Sequence, residues 1–542
     1  MPRLAALASL TSGTTIGGGG FYYPLTNTSS DPTNSTWQST YAPASGYTFV
    51  ASDGIYTSEP ITSMRDMFRD NTTFNDPDIA NWNISSVTNH IDTFRGCTSF
   101  NQDLSNWTFG VTQVNTMFQG CSSYNNGGVA LTWSGTSNWT GIGGLFSDAS
   151  SFNQSINSWS LSSGLTMNSM FQGATNFNQP LNWSNFAPGN LNAMFWNASS
   201  FNQDISSWDV SNVTNFELLF YGAGDYNNGG TSLNWTLGSN VNIGSMFRNC
   251  QAFNQIPFSN ATPTLNKISY CFSYCSIFNQ NISGWNIGSC TDAASAFNGA
   301  TVFNQDISGW DTSNVTFMNS MFRGAAAFNQ DISSWDTSSV LYMSEMFKSA
   351  NAFNNGDATN IASKPLTWDT SSVLSMANMF EALDGVFNQD ISSWNTSSVI
   401  NMAYMFAYQN SFNNGGVALT TSVDNWNVSI VTSIDSLFRS TPFNQDISNW
   451  DTSSCINMSK VFASTTAFNQ DISGWTTSIV TNMSEMFVFA DAFNQDISGW
   501  NVDLVTNATN FSYLADQKGT SPATWESSEH PSNVGLGNFY ST

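Results

Sequence analysis

Two histidines, seven cysteines and a recurring row of aspartates are the residues of this chain that could carry chemistry. His90 and His530 are far apart in sequence, and no His recurs beside a Ser or Cys. Neither a G-x-S-x-G motif nor a P-loop stands out. Paired carboxylates could cleave glycans, but the aspartates recur equivalently, with no singular pair. The sequence therefore predicts a protein that is not an enzyme.

An Asp stands three residues after the aromatic residue that opens many of the repeats described below. The members of this row are Asp103, Asp204, Asp306, Asp331, Asp390, Asp446, Asp471 and Asp496. Like charges stacked in neighbouring repeats repel one another, and Ca²⁺ could relieve that repulsion through oxygen ligands. The run Asp446, Asp471 and Asp496 is the candidate Ca²⁺ site, and Ca²⁺ is the one candidate cofactor. The alternative is a solvated acidic edge that keeps the chain soluble and blocks edge pairing.

A 25-residue repeat must position these residues. The segment FNQDISGWDTSNVTFMNSMFRGAAA begins at Phe303, and FNQDISSWDTSSVLYMSEMFKSANA follows at Phe328. Seventeen such coils begin between Phe74 and Phe493. A fixed period of this length indicates stacked coils that bury their apolar faces against one another, so we expect a repeat solenoid. Within each coil, the pattern predicts a short parallel strand around DISGWD and a helical turn over VTFMNSMF.

The repeat frame also predicts the core. Asn304, Trp310, Met318, Met321 and Phe322 exemplify structural rows that recur from coil to coil. The Met and Asn rows are interpreted as core packing and inter-coil hydrogen bonding. For the Trp row, two interpretations stay open: a stacked core, or an exposed aromatic track for sugar rings.

The seven cysteines fall at predicted core positions, where they would act as small hydrophobic residues. Two pairs in adjacent coils, Cys97 with Cys121 and Cys250 with Cys275, are within plausible bridging range as an alternative. An odd number of cysteines argues against a complete disulfide framework.

Four coils carry an insertion directly after the opening aromatic residue and its Asn. The Asn that follows is Asn126, Asn228, Asn355 or Asn414, in segments that begin NNGG or NNGD. Insertions at one frame position emerge along one edge of a solenoid, and that edge is often functional. We therefore expect a binding edge there, with neutral loop drift as the alternative.

The motif FNQDISSWDTSSV-x-x-MSEMF resembles the 25-residue repeats of surface proteins related to the BspA-type leucine-rich repeats, over roughly residues 61 to 515. The resemblance implies a leucine-rich-repeat-like solenoid, a curved right-handed stack with short parallel strands on one face. It also implies adhesion or partner binding rather than catalysis. Surface members of that family usually carry an export signal and an anchor, and this chain departs from that pattern.

Charge and segment boundaries complete the functional expectation. With 12 Lys and Arg against 37 Asp and Glu, the net charge is -25, which excludes a nucleic-acid groove and an anionic membrane surface. We expect residues 1–60 to form an N-terminal segment for attachment and for capping the solenoid. Residues 61–515 would form the solenoid itself, and residues 516–542 a C-terminal cap or tail.

The absence of a convincing leader or anchor favours a virion surface appendage, a tail or head fibre that binds a host-surface protein or glycan. Its N-terminal segment would join it to the virion or to its own subunits. The alternatives are an exported bacterial or algal cell-surface adhesin and a self-assembling filament or sheath protein.

Overall fold

The computed structural model describes residues 63–81, 84–85, 87–183, 186–258, 264–358, 362–383, 387–419, 425–497 and 499–512, and the pairs Phe21–Tyr22 and Tyr47–Thr48. Apart from those two pairs, the predicted N-terminal segment lies outside the described residues. The predicted C-terminal segment and Trp82 of the Trp row lie outside them too.

The regular elements are few and short. Six strands pair in parallel: β1 (Phe21–Tyr22) with β2 (Tyr47–Thr48), β3 (Thr112–Gln113) with β4 (Trp139–Gly141), and β5 (Val241–Asn242) with β6 (Leu265–Lys267). The helices of the described residues are all of the 3-10 type, at Pro77–Asn81, Asn126–Gly128, Thr136–Asn138, Asn228–Gly230 and Asn414–Gly416.

The segment predicted as a helical turn is instead a ribbon of consecutive β-turns. Met321 donates its backbone N–H to the carbonyl of Met318 (3.2 Å), and Ala325 donates to Phe322 (2.9 Å). The third residues of these two turns, Ser320 and Gly324, have φ of 56° and 66°, the left-handed conformation that a type II turn requires. The prediction of a helical turn is therefore wrong for this segment.

Hydrogen bonds between repeats explain why the turn ribbon replaces a helix. The backbone N–H of Phe322 donates to the carbonyl of Met346 (2.9 Å), and that of Ser320 donates to Ser344 (2.9 Å). In an α-helix these N–H groups would bond four residues back within their own repeat and could not reach the next one. The ribbon thus uses alternate N–H groups to join repeats, as a parallel ladder does.

The predicted strand lies elsewhere in the repeat. In the DISGWD segment, Trp310 donates its backbone N–H to the carbonyl of Ile307 (3.2 Å), which closes a turn. Asp306 favours this turn because its Oδ1 accepts the backbone N–H of Ser308 (3.0 Å), a local bond that competes with a strand ladder. The parallel bridges fall one residue before the first Met position, as between Phe317 and Tyr342.

The aromatic and Met rows form the interior. Phe322 stacks on Phe297 and Phe347 in the neighbouring repeats, with ring centroids 5.6 and 5.7 Å apart, and Met318 and Met321 are buried beside it. Trp310 is only 3% exposed and donates its indole Nε1–H to the carbonyl of Ile282 (3.2 Å). The described Trp row is therefore core, and the interpretation of an exposed sugar track along it is wrong.

The chain divides into two compact units. The first comprises Met1–Gly238 and Met246–Ser259, and the second comprises Ser239–Ser245 and Asn260–Thr542. Within the second unit, single parallel bridges link successive repeats without interruption from Lys267 to Asn507. Within the first unit, the bridges are interspersed with the β3–β4 pair.

Candidate functional site

The four asparagines of the predicted binding edge are buried. Asn126 Oδ1 accepts the backbone N–H of Leu104 in the preceding repeat (2.8 Å), and its Nδ2 donates to the carbonyl of Val129 (3.0 Å). In the same way, Asn228, Asn355 and Asn414 accept the backbone N–H groups of Ile205 (3.0 Å), Ile332 (3.0 Å) and Ile391 (2.9 Å). These hydrogen bonds hold each insertion against the preceding repeat. A ligand bound at this edge would therefore contact other residues, such as Val129, which is 44% exposed.

The candidate Ca²⁺ residues are exposed and engaged locally. Asp446 Oδ1 accepts the backbone N–H of Ser448 (2.9 Å), and Asp471 Oδ1 accepts that of Ser473 (3.0 Å). The hydrogen bonds from Ser473 lower the pKa of Asp471, although the nearby charge of Asp496 opposes them. Nowhere in the described part of the chain do three or more His, Cys, Asp or Glu side chains form a group that could hold a metal ion. The structure thus does not bring Asp446, Asp471 and Asp496 together as a metal site.

The cysteines are free, buried thiols, so Cys97, Cys121, Cys250 and Cys275 form no disulfides. Cys97 donates its thiol to the carbonyl of Phe68 (2.9 Å), and burial raises its pKa to about 12. A thiol that is protonated and enclosed is a poor nucleophile and a poor metal ligand. The thiols are therefore core residues rather than reactive groups.

His90 is also buried, in the Met position of its repeat. Burial lowers its pKa to about 3, and neither ring nitrogen has a hydrogen-bond partner among the described residues. Its neighbours are the rings of Phe109 and Trp107, at centroid distances of 5.1 and 6.0 Å. This imidazole is enclosed by the core and cannot act on a bound substrate.

A cleft of about 480 Å³ opens on the turn ribbon of the first unit, across three repeats. Its floor is the segment Gly141–Gly144, in which Gly141, Gly143 and Gly144 stand where most other repeats carry side chains and Ile142 fills the buried Met position. Its walls are amide and hydroxyl side chains of the repeats on either side. None of the described residues that line it is charged or aromatic.

The floor positions are glycine because side chains of the neighbouring repeats lie directly over them. An ideal Cβ at Gly141 would lie 2.7 Å from Asn115 Oδ1, and one at Gly143 would lie 2.6 Å from Asn168 Oδ1. Gly144 has φ of 64°, where a side chain is strained. Asn115 Oδ1 accepts the backbone N–H of Gly143 (2.9 Å), so one wall is fixed to the floor.

Three amide side chains of the cleft have no partner within the described residues. They belong to Gln119 on one side of the glycine floor and to Asn168 and Gln172 on the other. Each amide carries two donors and an acceptor that remain for solvent or a ligand. The cleft can therefore form hydrogen bonds with a neutral polar molecule.

An aromatic pair continues the row of Gln119 and Gln172 beyond the cleft. Trp196 occupies the same frame position one repeat after Gln172, and Gly173 donates its backbone N–H to the Trp196 carbonyl (2.7 Å). The Trp196 ring meets Tyr221 edge to face at 5.8 Å, and the Arg248 guanidinium lies 5.2 Å from the centre of the Tyr221 ring. The indole Nε1 of Trp196 has no hydrogen-bond partner among the described residues.

Sequence reasoning missed this cleft. The available signal was the GIGG segment itself, which places glycines at three outward positions of a ribbon that most other repeats fill with larger residues. The insertions drew attention because they add residues, whereas the cleft arises from side chains that are missing.

The model of one protein family, described as "Mycoplasma protein of unknown function, DUF285", matches the chain repeatedly. The matches cover residues 48–134, 111–189, 145–261, 266–364, 356–418 and 417–525. They confirm that this is a repeat protein. No curated protein matches the chain. Among the described residues, no helix has the length and apolar character needed to cross a membrane.

Proposed function

The chain belongs to the DUF285 family of repeat proteins, and from that premise we propose that it is a non-catalytic attachment protein. Its repeats would stack as a leucine-rich-repeat-like solenoid related to the BspA-type proteins. The run of parallel bridges from Lys267 to Asn507 supports this stacking in the second unit. In the first unit, the stacked rings of Phe171 and Phe195 in successive repeats, 5.6 Å apart, support it as well.

The observation that carries the proposal is the cleft, whose three amides have no partner in the part of the chain that the structure describes. Elsewhere the groups that could carry chemistry serve the fold: His90 and the thiols are enclosed, and Asn126 and its counterparts fasten the insertions. The outward face of the turn ribbon, by contrast, offers hydrogen-bonding groups beside a space of ligand size. Such a surface binds a partner without transforming it.

We propose the surface of a virion as the place of action, with a host surface as the partner. The alternative is the envelope of a cell, where the same repeats would serve as an adhesin. Either setting requires that the ribbon face outward. A self-assembling filament is a weaker alternative, because a net charge of -25 opposes close packing of copies without cations.

Location and binding together test the proposal. An antibody raised against the purified chain would be used for immunogold labelling of the source culture, with pre-immune serum as the control. We expect gold on particles and saturable binding of the labelled chain to intact host cells. Gold on cell envelopes would refute the virion setting and favour the adhesin. An absence of saturable binding to any cell surface would refute attachment itself.

A further inference from the structure

We propose that the cleft above Gly141–Gly144 is a binding site for a neutral saccharide. This inference rests on the proposed attachment function and names the ligand class of its site. The lining side chains offered to a ligand are the amides of Gln119, Asn168 and Gln172 and the hydroxyls of Thr166 and Ser169.

The cleft has the dimensions of a ligand site. About 480 Å³ falls within the range of roughly 300–1,000 Å³ that small-molecule sites occupy. The side chains of Asn115 and Asn168 lie directly over the glycine floor, so a ligand would rest against these amides, and Asn115 fixes the floor through its bond to Gly143. The walls come from repeats on either side of the floor, so the stacking of repeats sets the width of the cleft before a ligand arrives.

The lining chemistry matches hydroxyl groups. A sugar hydroxyl both donates and accepts, and so does each primary amide. Because Gln119, Asn168 and Gln172 have no partner among the described residues, binding would replace water on these groups without breaking internal bonds. An apolar ligand would instead leave these amides desolvated and unpaired.

Charge argues for a neutral saccharide over an acidic one. Along the same row, Arg95 lies one repeat before Gln119, and its guanidinium is 3.6 Å from the carboxylate of Asp92. In the repeat that forms the floor, Asp148 follows the lining residue Ser147, accepts a hydrogen bond from its hydroxyl (3.2 Å) and adds negative charge. With a net charge of -25 on the chain, a sulfated or sialylated ligand would be repelled.

A peptide strand fits the floor poorly. The backbone N–H of Gly144 already donates to the carbonyl of Asn168 (2.9 Å), and that of Gly143 donates to Asn115. An added strand needs free main-chain groups and pockets for alternate side chains. At these two residues, the floor therefore has no free N–H group to which an added strand could bond.

The aromatic ring of Trp196 extends the site for longer saccharides. It occupies the row position one repeat beyond Gln172, and it is neither fully buried nor part of the stacked Trp core. The flat apolar face of a sugar ring packs well on an indole, whose amphipathic character suits a partly wet surface. A chain of several sugars would lie along the row, with one end in the cleft.

The test is a printed panel of neutral oligosaccharides of glucose, galactose, mannose and N-acetylglucosamine, beside sialylated and sulfated oligosaccharides, probed with the full chain. Calorimetry on the best binder then compares the wild type with the variant Gln119→Ala/Asn168→Ala/Gln172→Ala. The matched control is Asn298→Ala/Asn319→Ala, which removes two amides from the same frame positions in the second unit. We expect a neutral binder, at least tenfold weaker binding by the cleft variant, and unchanged binding by the control.

Three results would overturn the inference: no neutral binder, binding of acidic oligosaccharides alone, or a cleft variant that binds as the wild type does. All variants would first be shown to melt as the wild type does. The attachment function has a separate readout, because the same cleft variant is also tested on intact host cells. A chain that binds cells but no neutral saccharide would refute the saccharide site and leave attachment standing.

Discussion

The side chain of Asn304 accepts the backbone N–H of Asn329, one repeat later, at 2.9 Å between Oδ1 and N. The same Oδ1 accepts Gln330 Nε2 at 2.8 Å, and Asn304 is itself joined to Asn279 Oδ1 through its backbone N–H (3.0 Å). The Oδ1 atom of Asn304 therefore links its repeat to the next at the bend, where the backbone carbonyl of Asn304 also accepts Gln330 Nε2 (2.9 Å). The Nδ2 group is not part of this arrangement.

The first prediction follows from that asymmetry. Asn304→Ala removes the acceptor and should lower the free energy of unfolding by about 1–2 kcal/mol, since two inter-repeat bonds are lost on a solvent-accessible edge. Asn304→Asp retains an oxygen at the same place and should lose less. Chemical denaturation followed by circular dichroism measures both. Equal losses for the two variants would show that the acceptor does not explain the row.

The second prediction separates core from surface aromatics in one repeat. Phe322→Ala should cost about 3–5 kcal/mol, because it empties a buried position that stacks on three rings. Phe317→Ala should cost less than about 1 kcal/mol, because that ring is 40% exposed and stacks only on Tyr342 among the described residues. Denaturation midpoints of the two variants give the comparison. Similar midpoints would contradict the assignment of the core.

The third prediction concerns pH and His90. Burial lowers the pKa of His90 to about 3, whereas an unfolded chain would give about 6.5. The unfolded state therefore binds the proton first, so stability from the neutral imidazole is full above pH 6.5 and falls as the pH drops toward 3. His90→Met places there the residue found most often at this position of the repeat, and it should remove this contribution.

The measurement for His90 is the difference in unfolding free energy between wild type and His90→Met across pH 7 to 3. Taking the difference cancels the titration of the carboxylates, which both proteins share. The gap should widen in favour of the variant as the pH falls. A constant gap would mean that His90 is not buried in its neutral form.

The fourth prediction concerns the thiols. Because burial raises the pKa of Cys97 and Cys455 to about 12 and that of Cys290 to about 11, the native chain should react slowly with a disulfide reagent at pH 8. In the denatured chain, all seven thiols should react with the reagent. A melting temperature that shifts on adding a reductant would argue for a disulfide instead.

The sequence predicted the repeat period and the core rows, because buried positions recur with the period regardless of local backbone geometry. It did not predict the turn ribbon, because Met318 and Met321 lie three apart in a helical turn and in a β-turn alike. A helical turn and a β-turn differ in the acceptors of their backbone N–H groups. In the turn ribbon, some of those acceptors lie in the neighbouring repeat. The strand was misplaced because the Asp306 side chain closes a turn in its segment.

The site was harder to predict than the fold. The NNGG segments suggest an exposed turn, yet Asn126 is buried because its side-chain oxygen accepts the backbone N–H of Leu104 in the preceding repeat. The floor of the cleft contains three glycines. Two of them, Gly141 and Gly143, lie beneath the side chains of Asn115 and Asn168 from the repeats on either side. Neither relationship is visible until successive repeats are aligned in space.

The fifth prediction uses Trp196 to test how the cleft and the aromatic pair cooperate. If a saccharide extends from the cleft along the row, Trp196→Ala should weaken binding of a hexasaccharide roughly fivefold, or about 1 kcal/mol, and leave a disaccharide unaffected. Tyr408→Ala is the matched control, because Tyr408 is an exposed ring of the second unit that also lies against an arginine, Arg439. Calorimetry compares each of the two variants with the wild type, once with the disaccharide and once with the hexasaccharide. Equal weakening for short and long ligands would mean that Trp196 shapes the cleft itself, since only an added contact depends on ligand length.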